Sequence, residues 1–338
     1  MTANTEQRNI RQRILVVSLD SVGDLVFATS LIEPLRRQFP GAHLGLWCKD
    51  YTVGLSALIS HVDEFFSADT FWDKSPGRPK GRLNEFVRVL RRIRQAGFDT
   101  AILAHAPSRT AAAVAATAIP VRIGLRRGSN AKWLTHPLPA AERTKPVLEE
   151  MSRLLAGFGI SYPQPRYRLD TSRLTSEKAS IREQLGPAPR VALHAFAGAA
   201  SRCVALDIWI EVADELDKRG YAPLWIGTNA ELEKLREAVQ QGSAAPSRKR
   251  WLYADKLFGN SLLNIALAIS EVALFIGHDS GPLHIASALG VPSLGLYAPG
   301  EPARTFPQGV GDWRMIARGS PVEFSAALIL DEAMELMD

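Results

Sequence analysis

Short apolar runs alternate with stretches of helical spacing along the whole chain, and this alternation constrains the fold more than any other feature of the 338 residues. Arg13–Ser18 (RILVVS), His43–Cys48, Phe98–Ala104, Val121–Gly124, Val191–His194, Pro223–Gly227, Val272–Ile276 and Ser293–Tyr297 read as buried strands. Val62–Ser67 is a weaker candidate because it carries Asp63 and Glu64. Between them, Leu25–Arg36, Leu83–Ala96, Ala111–Ala118, Arg143–Phe158, Leu206–Arg219 and Leu262–Ile269 keep helical periodicity, and a terminal helix is expected over Val322–Met337. A strand, turn and helix cycle that repeats in both halves predicts an α/β protein of two doubly wound, Rossmann-like domains facing a central cleft. The Pro-rich stretch around Pro163, Pro165, Pro187 and Pro189 marks the break. The expected division is 1–165, a linker at 166–190, 191–321, and a helix at 322–338.

One stretch reads as a binding turn. In FIGHDSGPLHIASALG (275–290) a strand ends, the chain turns at His278-Asp279-Ser280-Gly281, and a helix opens with Pro282. The N–H groups at such a start favour an anion, so a phosphate or diphosphate is one reading. The other is plain capping of the helix by Asp279 or Ser280. A matching turn lies near the N-terminus, where Leu19-Asp20-Ser21-Val22-Gly23-Asp24 follows the first strand. Asp24 either favours the helix dipole or acts as a general base, with Asp20 and Ser21 in reach. His105, Ser108 and Arg109 follow another strand end, where open α/β sheets bind ligands.

Composition removes other classes. Charged residues make up 22% and hydrophobic ones 46%, as in soluble globular proteins, and no apolar run reaches the ~18 residues a membrane helix needs. The polar MTANTEQRNIRQR start lacks the apolar core of a signal peptide, so the reading is a cytoplasmic protein. Cys48 and Cys203 are too few for a disulfide framework or a zinc site. The net charge of +5 comes without a nucleic-acid-binding signature, and no nucleic-acid partner is expected. Its excess gathers at Arg88, Arg91, Arg92 and Arg94, read as a solvated helix face, and at Arg122, Arg126, Arg127 and Lys132, read as a loop open to an anionic substrate or membrane surface. His278 is read as solvent-facing. Trp209, Trp225, Trp251 and Trp313 are read as packing residues. No GxGxxG, Walker loop, HExxH or GxSxG is present, which removes most support for a dehydrogenase.

LVVSLDSVGDLVFATSLIEPLRRQFP, together with FIGHDSGPLHIASALGVPSLGLYAPG, resembles glycosyltransferase family 9, the ADP-heptose:lipopolysaccharide heptosyltransferases. RRIRQAGFDTAIL, EEMSRLLAGFGI and VALHAFAGAASR extend the likeness over most of the chain. The resemblance implies a GT-B fold, with acceptor in the N-terminal domain and nucleotide-sugar in the C-terminal one. It further implies inversion at the anomeric centre, no metal and no cofactor, since the nucleotide-sugar is a substrate. Asp24 then stands as the base. Arg202, Glu231, Asp279, Ser280, Gly281 and His284 stand on the donor side, and Ser21, Gly23, His105 and Arg109 on the acceptor side. Arg202 occupies a phosphate-binding Lys position, although its planar fork differs in geometry. The implied partners are an ADP-sugar, an acidic glycan or glycolipid of the lipopolysaccharide core, and the cytoplasmic face of the inner membrane. A sugar-nucleotide epimerase on the same fold and a non-catalytic nucleotide-sugar binder are the alternatives.

Overall fold

A computed structural model describes residues 12–73, 80–162, 164–241 and 246–337. Residues 1–11, 74–79, 242–245 and 338 lie outside them, as does Pro163 of the Pro-rich stretch read as the break. The chain divides into two units. Unit 1 is Met1–Glu142 with Leu148–Pro165, and unit 2 is Arg143–Val147 with Arg166–Asp338. Residues 166–190, expected as a linker, fall in unit 2, and their helix Thr175–Leu185 is fastened by Lys178 and Arg182 to Glu271.

Unit 1 holds strands β1 (Arg13–Ser18), β2 (His43–Cys48), β3 (Glu64–Ser67), β4 (Thr100–Leu103), β5 (Val121–Leu125) and β6 (His136–Leu138). All pair in parallel, in the order β3-β2-β1-β4-β5-β6. Unit 2 holds β7 (Arg190–His194), β8 (Ala222–Trp225), β9 (Leu252–Tyr253), β10 (Leu274–His278), β11 (Ser293–Tyr297) and β12 (Trp313–Ala317). These are again all parallel, in the order β12-β11-β10-β7-β8-β9. Numbered within its own sheet, each unit runs 3-2-1-4-5-6, the doubly wound order whose reversal point opens a crevice at the strands' C-terminal ends. That point falls between β1 and β4 in unit 1 and between β7 and β10 in unit 2.

Central strands are apolar because helices cover both faces. Ile14 to Val17 have no exposed surface, and neither do Leu274, Phe275 and Ile276. In unit 2, Trp209 and Trp225 are fully buried among Val191, Leu193, Leu274 and Ile276. Burying a large apolar side chain of this kind stabilises by roughly 1.5–3 kcal/mol. Trp251 packs on Trp225 at 5.5 Å between ring centroids, so three of the four tryptophans read as packing residues are interior. The fourth, Trp313, is 39% exposed and lies against Phe306.

Helix Leu83–Ala96 ends as expected at Gly97, which takes the left-handed conformation (φ 66°) that glycine adopts without strain. The first helix differs from expectation. It begins at Val22, breaks at a 3-10 turn over Thr29–Leu31, and resumes as Ile32–Gln38. Pro34 has no N–H for the carbonyl four residues back, and the Thr29 and Ser30 hydroxyls bond back to Val26 and Phe27 carbonyls at 2.7 and 2.6 Å. Gly23 and Asp24 are therefore helical residues in the first turn, not part of a glycine loop.

Candidate functional site

The end of β1 is shaped by a capping box. Ser21 caps helix Val22–Ala28: the Asp24 N–H donates to Ser21 Oγ at 3.3 Å, and the Ser21 N–H donates to Asp24 Oδ2 at 3.0 Å. The Ser21 hydroxyl also donates to Oδ2, at 2.6 Å. One carboxylate oxygen is thus engaged, while Oδ1 has no partner among the described residues. Gly23 is buried beneath this turn. At the end of β4, the neighbouring strand, His105 Nδ1 bonds to Asp20 Oδ2, and the Tyr51 hydroxyl donates to the Asp20 carbonyl at 2.9 Å. Burial lowers the proton affinity of His105, but the hydrogen bond and charge of Asp20, helped by Asp24, outweigh it and raise the pKa. Arg109, in the first turn of helix Ser108–Ala116, is exposed and makes no side-chain bond among the described residues.

The basic loop is less open than its sequence suggests. Arg122 donates to the Trp133 and Ile119 carbonyls at 2.8 and 2.6 Å, Arg127 pairs with buried Glu150, and Lys132 lies over the Trp133 ring. Arg126 alone of the four keeps an exposed side chain without such a partner among the described residues.

At the reversal point of unit 2, β10 runs close to β7. A Cβ on Gly277 would lie 2.7 Å from the Phe275 ring and 3.2 Å from His194 Cβ, so only glycine fits there without displacing them. Helix Gly281–Ala288 then opens after Ser280 with no side-chain cap. The polar groups that could have capped it are occupied elsewhere. Ser280 Oγ donates to the His278 carbonyl at 3.0 Å and lies 3.1 Å from His194 Nδ1. Asp279 Oδ2 accepts from Thr305 Oγ1 at 2.9 Å and stands 3.9 Å from Arg202, while its Oδ1 is 3.5 Å from His284 Nε2. His284 Nδ1 in turn lies 3.3 Å from the Tyr167 hydroxyl, which accepts from the Gln308 N–H at 2.7 Å. Tyr297 donates to the Thr305 carbonyl at 2.8 Å. The segment 301–309 is thereby tied to the turn from both sides. A narrow surface crevice here is lined by Arg202, Asp279, Tyr297 and Gly300 among others.

Burial sets the proton chemistry of this end. His194 has no compensating charge and its pKa falls to about 4. For His278 burial and the neighbouring His194 also push the value to about 4, against the pull of Asp279. Burial drives the Tyr167 hydroxyl up to about 12, despite hydrogen bonds from Ser287 and Gln308. All three are neutral at pH 7. His278, expected to face solvent, is interior: the Val204 N–H donates to its Nε2 at 3.2 Å, and Trp209 packs on its ring.

Asp279 thus brings Arg202 and His284 together, with Ser280 and Gly281 beside them. Glu231 is not part of that group. It sits after β8, where its Oε2 accepts from the Thr228 N–H at 2.8 Å and hydroxyl at 2.9 Å, a cap for helix Asn229–Gln241. In unit 1, Ser21 and Asp24 join directly, and His105 joins Asp20. Sequence reasoning missed Tyr167, Thr305 and Tyr297, whose only signal was residue type. Among the described residues no group of three or more His, Cys, Asp and Glu side chains converges as a metal site would require.

Comparison with known proteins places this geometry. The family described as glycosyltransferase family 9 (heptosyltransferase) matches residues 86–318. Lipooligosaccharide heptosyltransferase 2 of Haemophilus ducreyi is 24% identical over 311 residues, 87% of this chain and 86% of its own. A family 9 glycosyl transferase from Veillonella parvula superposes with a TM-score of 0.80 at 19% identity, covering 98% of each chain. The Escherichia coli heptosyltransferase WaaC with ADP gives 0.78 at 16% identity, over 96% of this chain and 100% of its own. With two parallel six-stranded sheets of GT-B type and a family match over residues 86–318, the chain belongs to glycosyltransferase family 9.

Proposed function

We propose that this enzyme moves a heptose-like sugar from an ADP-sugar to a lipopolysaccharide-core or related acidic glycan acceptor, inverting the anomeric carbon without a metal ion. The observation that carries this reading is the uncapped start of helix Gly281–Ala288, flanked by Arg202, at the C-terminal end of β10. A diphosphate there gains the helix N-terminus and a guanidinium, which together offset charge on the leaving group. The relatives named as heptosyltransferases and the fold neighbour holding ADP support the same choice.

In the proposed step the acceptor hydroxyl loses its proton to Asp24 as its oxygen bonds to the anomeric carbon. The bond from that carbon to the diphosphate oxygen breaks, and the electron pair leaves with ADP. Oδ1 of Asp24 is the oxygen assigned to the proton, because Oδ2 is held by Ser21. Ser21 and Gly23 shape the acceptor end, with His105 and Arg109 beyond them. Ser280, Gly281 and His284 serve the donor end, held by Asp279, and the free oxygen of Glu231 is assigned to a ribose hydroxyl. Work at the cytoplasmic face of the inner membrane is part of the proposal; among the described residues no helix is long and apolar enough to cross a membrane.

Thermal-shift titration with ADP-, UDP- and GDP-sugars tests the donor. ADP-sugars should raise the melting temperature most, since a ligand at a hundredfold its Kd stabilises by about 2.7 kcal/mol. Preference for UDP- or GDP-sugars would refute the heptose assignment, and consumption of the sugar nucleotide without acceptor would favour the epimerase. EDTA should leave turnover unchanged.

A further inference from the structure

The loop between β7 and helix Leu206–Lys218 carries Arg202, yet its own side chains do little to hold it in place. Gly198, Ala199, Ala200 and Ser201 are small and exposed, and the turn bonds to itself, the Arg202 and Cys203 N–H groups donating to the Ala199 and Ala200 carbonyls at 3.0 Å. Both ends of the loop are instead fastened by imidazoles to the turn after β10. At the first end His194, the last residue of β7, meets Ser280 Oγ; that hydroxyl gives its proton to the His278 carbonyl, so His194 Nδ1 is the donor. At the second end the Val204 N–H donates to His278 Nε2 at 3.2 Å. Val204 is 1% exposed, so its N–H has no water to turn to and needs this partner. A nitrogen that accepts carries no proton, and the neutral His278 ring therefore holds its hydrogen on Nδ1. Trp209 packs against the ring at 5.4 Å between centroids. Arg202 itself adds only a 3.9 Å approach to Asp279 and keeps 36% of its side chain exposed, so its placement follows the backbone more than its own bonds.

This further step rests on the donor reading above. We propose that His278 is a positioning residue for the nucleotide-sugar: by accepting the Val204 N–H it holds the loop 195–204 against the 278–281 turn and so sets where the Arg202 guanidinium meets the diphosphate. It acts through Val204 and Arg202, not on the substrate itself. What the position requires is a lone pair. A side chain that fills the same space without one leaves the Val204 N–H unpaired and lets the loop move off, carrying Arg202 with it. Glutamine separates acceptor from filler, because its Oε1 reaches the place of Nε2 and accepts the same N–H, whereas leucine only fills.

Nitrogen-15 NMR of the full chain tests the anchor without a mutation. At pH 7.5 the His278 ring should be neutral with its proton on Nδ1; a proton on Nε2 would overturn the anchor. Calorimetry with ADP reads its consequence. His278→Leu should weaken ADP about tenfold and His278→Gln less than about threefold. Arg202→Ala should weaken it about thirtyfold, and adding His278→Leu to that variant should cost under about twofold more, since His278 acts through the same guanidinium. Equal losses in the Gln and Leu variants, or losses that add in full in the double variant, would make His278 a core residue only and contradict the proposal. Where His278→Leu does not fold, the tautomer and the Gln variant decide: Nδ1–H with near-native ADP affinity supports the anchor, and Nε2–H or about a tenfold loss in Gln overturns it. A wild-type protein that binds no ADP would sink the donor reading. The anchor would then be judged by the tautomer and by amide exchange over 199–204, which should speed up in His278→Leu and not in His278→Gln; no difference between the two would contradict it.

Discussion

The two sheets share one strand order but carry opposite histidine chemistry at their reversal points. In unit 1, His105 gains a carboxylate partner and stays half exposed, so its charged form is favoured. In unit 2, His194 and His278 lose water without gaining a compensating carboxylate contact, and both are neutral. Topology decides where a site can form. Desolvation against pairing decides whether the ring there favours its charged or its neutral form. The same contrast separates the two aspartates: among the described residues one Asp24 oxygen has no partner at its capping box, whereas both Asp279 oxygens face partners in Thr305, His284 and Arg202.

The strongest way to break this contrast is Asp24→Asn. Transfer should fall about a thousandfold, within the range for loss of a general base, while ADP affinity measured by calorimetry stays within twofold. Transfer within tenfold of wild type would remove Asp24 as the base.

Acid should separate the two ends next. His194 and His278 have folded pKa values of about 4 against 6.5, so the unfolded chain binds more protons between those values. Their contribution is complete above pH 6.5 and is lost as pH falls towards 4, where each costs about 3 kcal/mol. His105 has the reverse sign: its contribution is present below 6.5 and fades as pH rises through its raised pKa. Urea melts at pH 7 and 4.5 should show the loss in wild type and a smaller one in His194→Gln. An identical loss in both would refute the assignment to His194.

A smaller effect is expected where segment 301–309 meets helix Gly281–Ala288. A Cβ on Gly309 would lie 2.2 Å from the Ser287 carbonyl oxygen, a backbone atom that cannot swing away. Gly309→Ala should cost about 2 kcal/mol and weaken ADP binding. Unchanged melting would mean that this segment adapts freely. The least costly change is Thr305→Val, which deletes the hydroxyl on Asp279 and should lose about 1 kcal/mol, or roughly fivefold in ADP affinity.

Much of the fold was legible in the sequence. β1, β2 and β11 and the helix Leu83–Ala96 have the bounds read from apolar runs and the Gly97 stop, because parallel central strands are apolar on both faces. β6, β9 and β12 went unread. β6 is a three-residue edge strand containing Pro137, β9 has two residues, and β12 alternates exposed and covered positions at the sheet edge. The early helix start at Val22 was readable in principle, since Ser21-Val22-Gly23-Asp24 is a capping-box pattern. The site was legible only residue by residue. Asp20 and His105 are 85 positions apart and Tyr167 and His284 are 117 apart, so only the folded sheets make them partners. Val204 had no sequence signal at all, because its role lies in a backbone N–H that the fold presents to His278.

Backbone hydrogen exchange with and without saturating ADP tests most directly whether unit 2 is the nucleotide end. The expected result is slowed exchange across residues 277–284 and 301–309, with residues 20–24 and 104–109 unchanged. Protection confined to 20–24 and 104–109, or none anywhere, would contradict it.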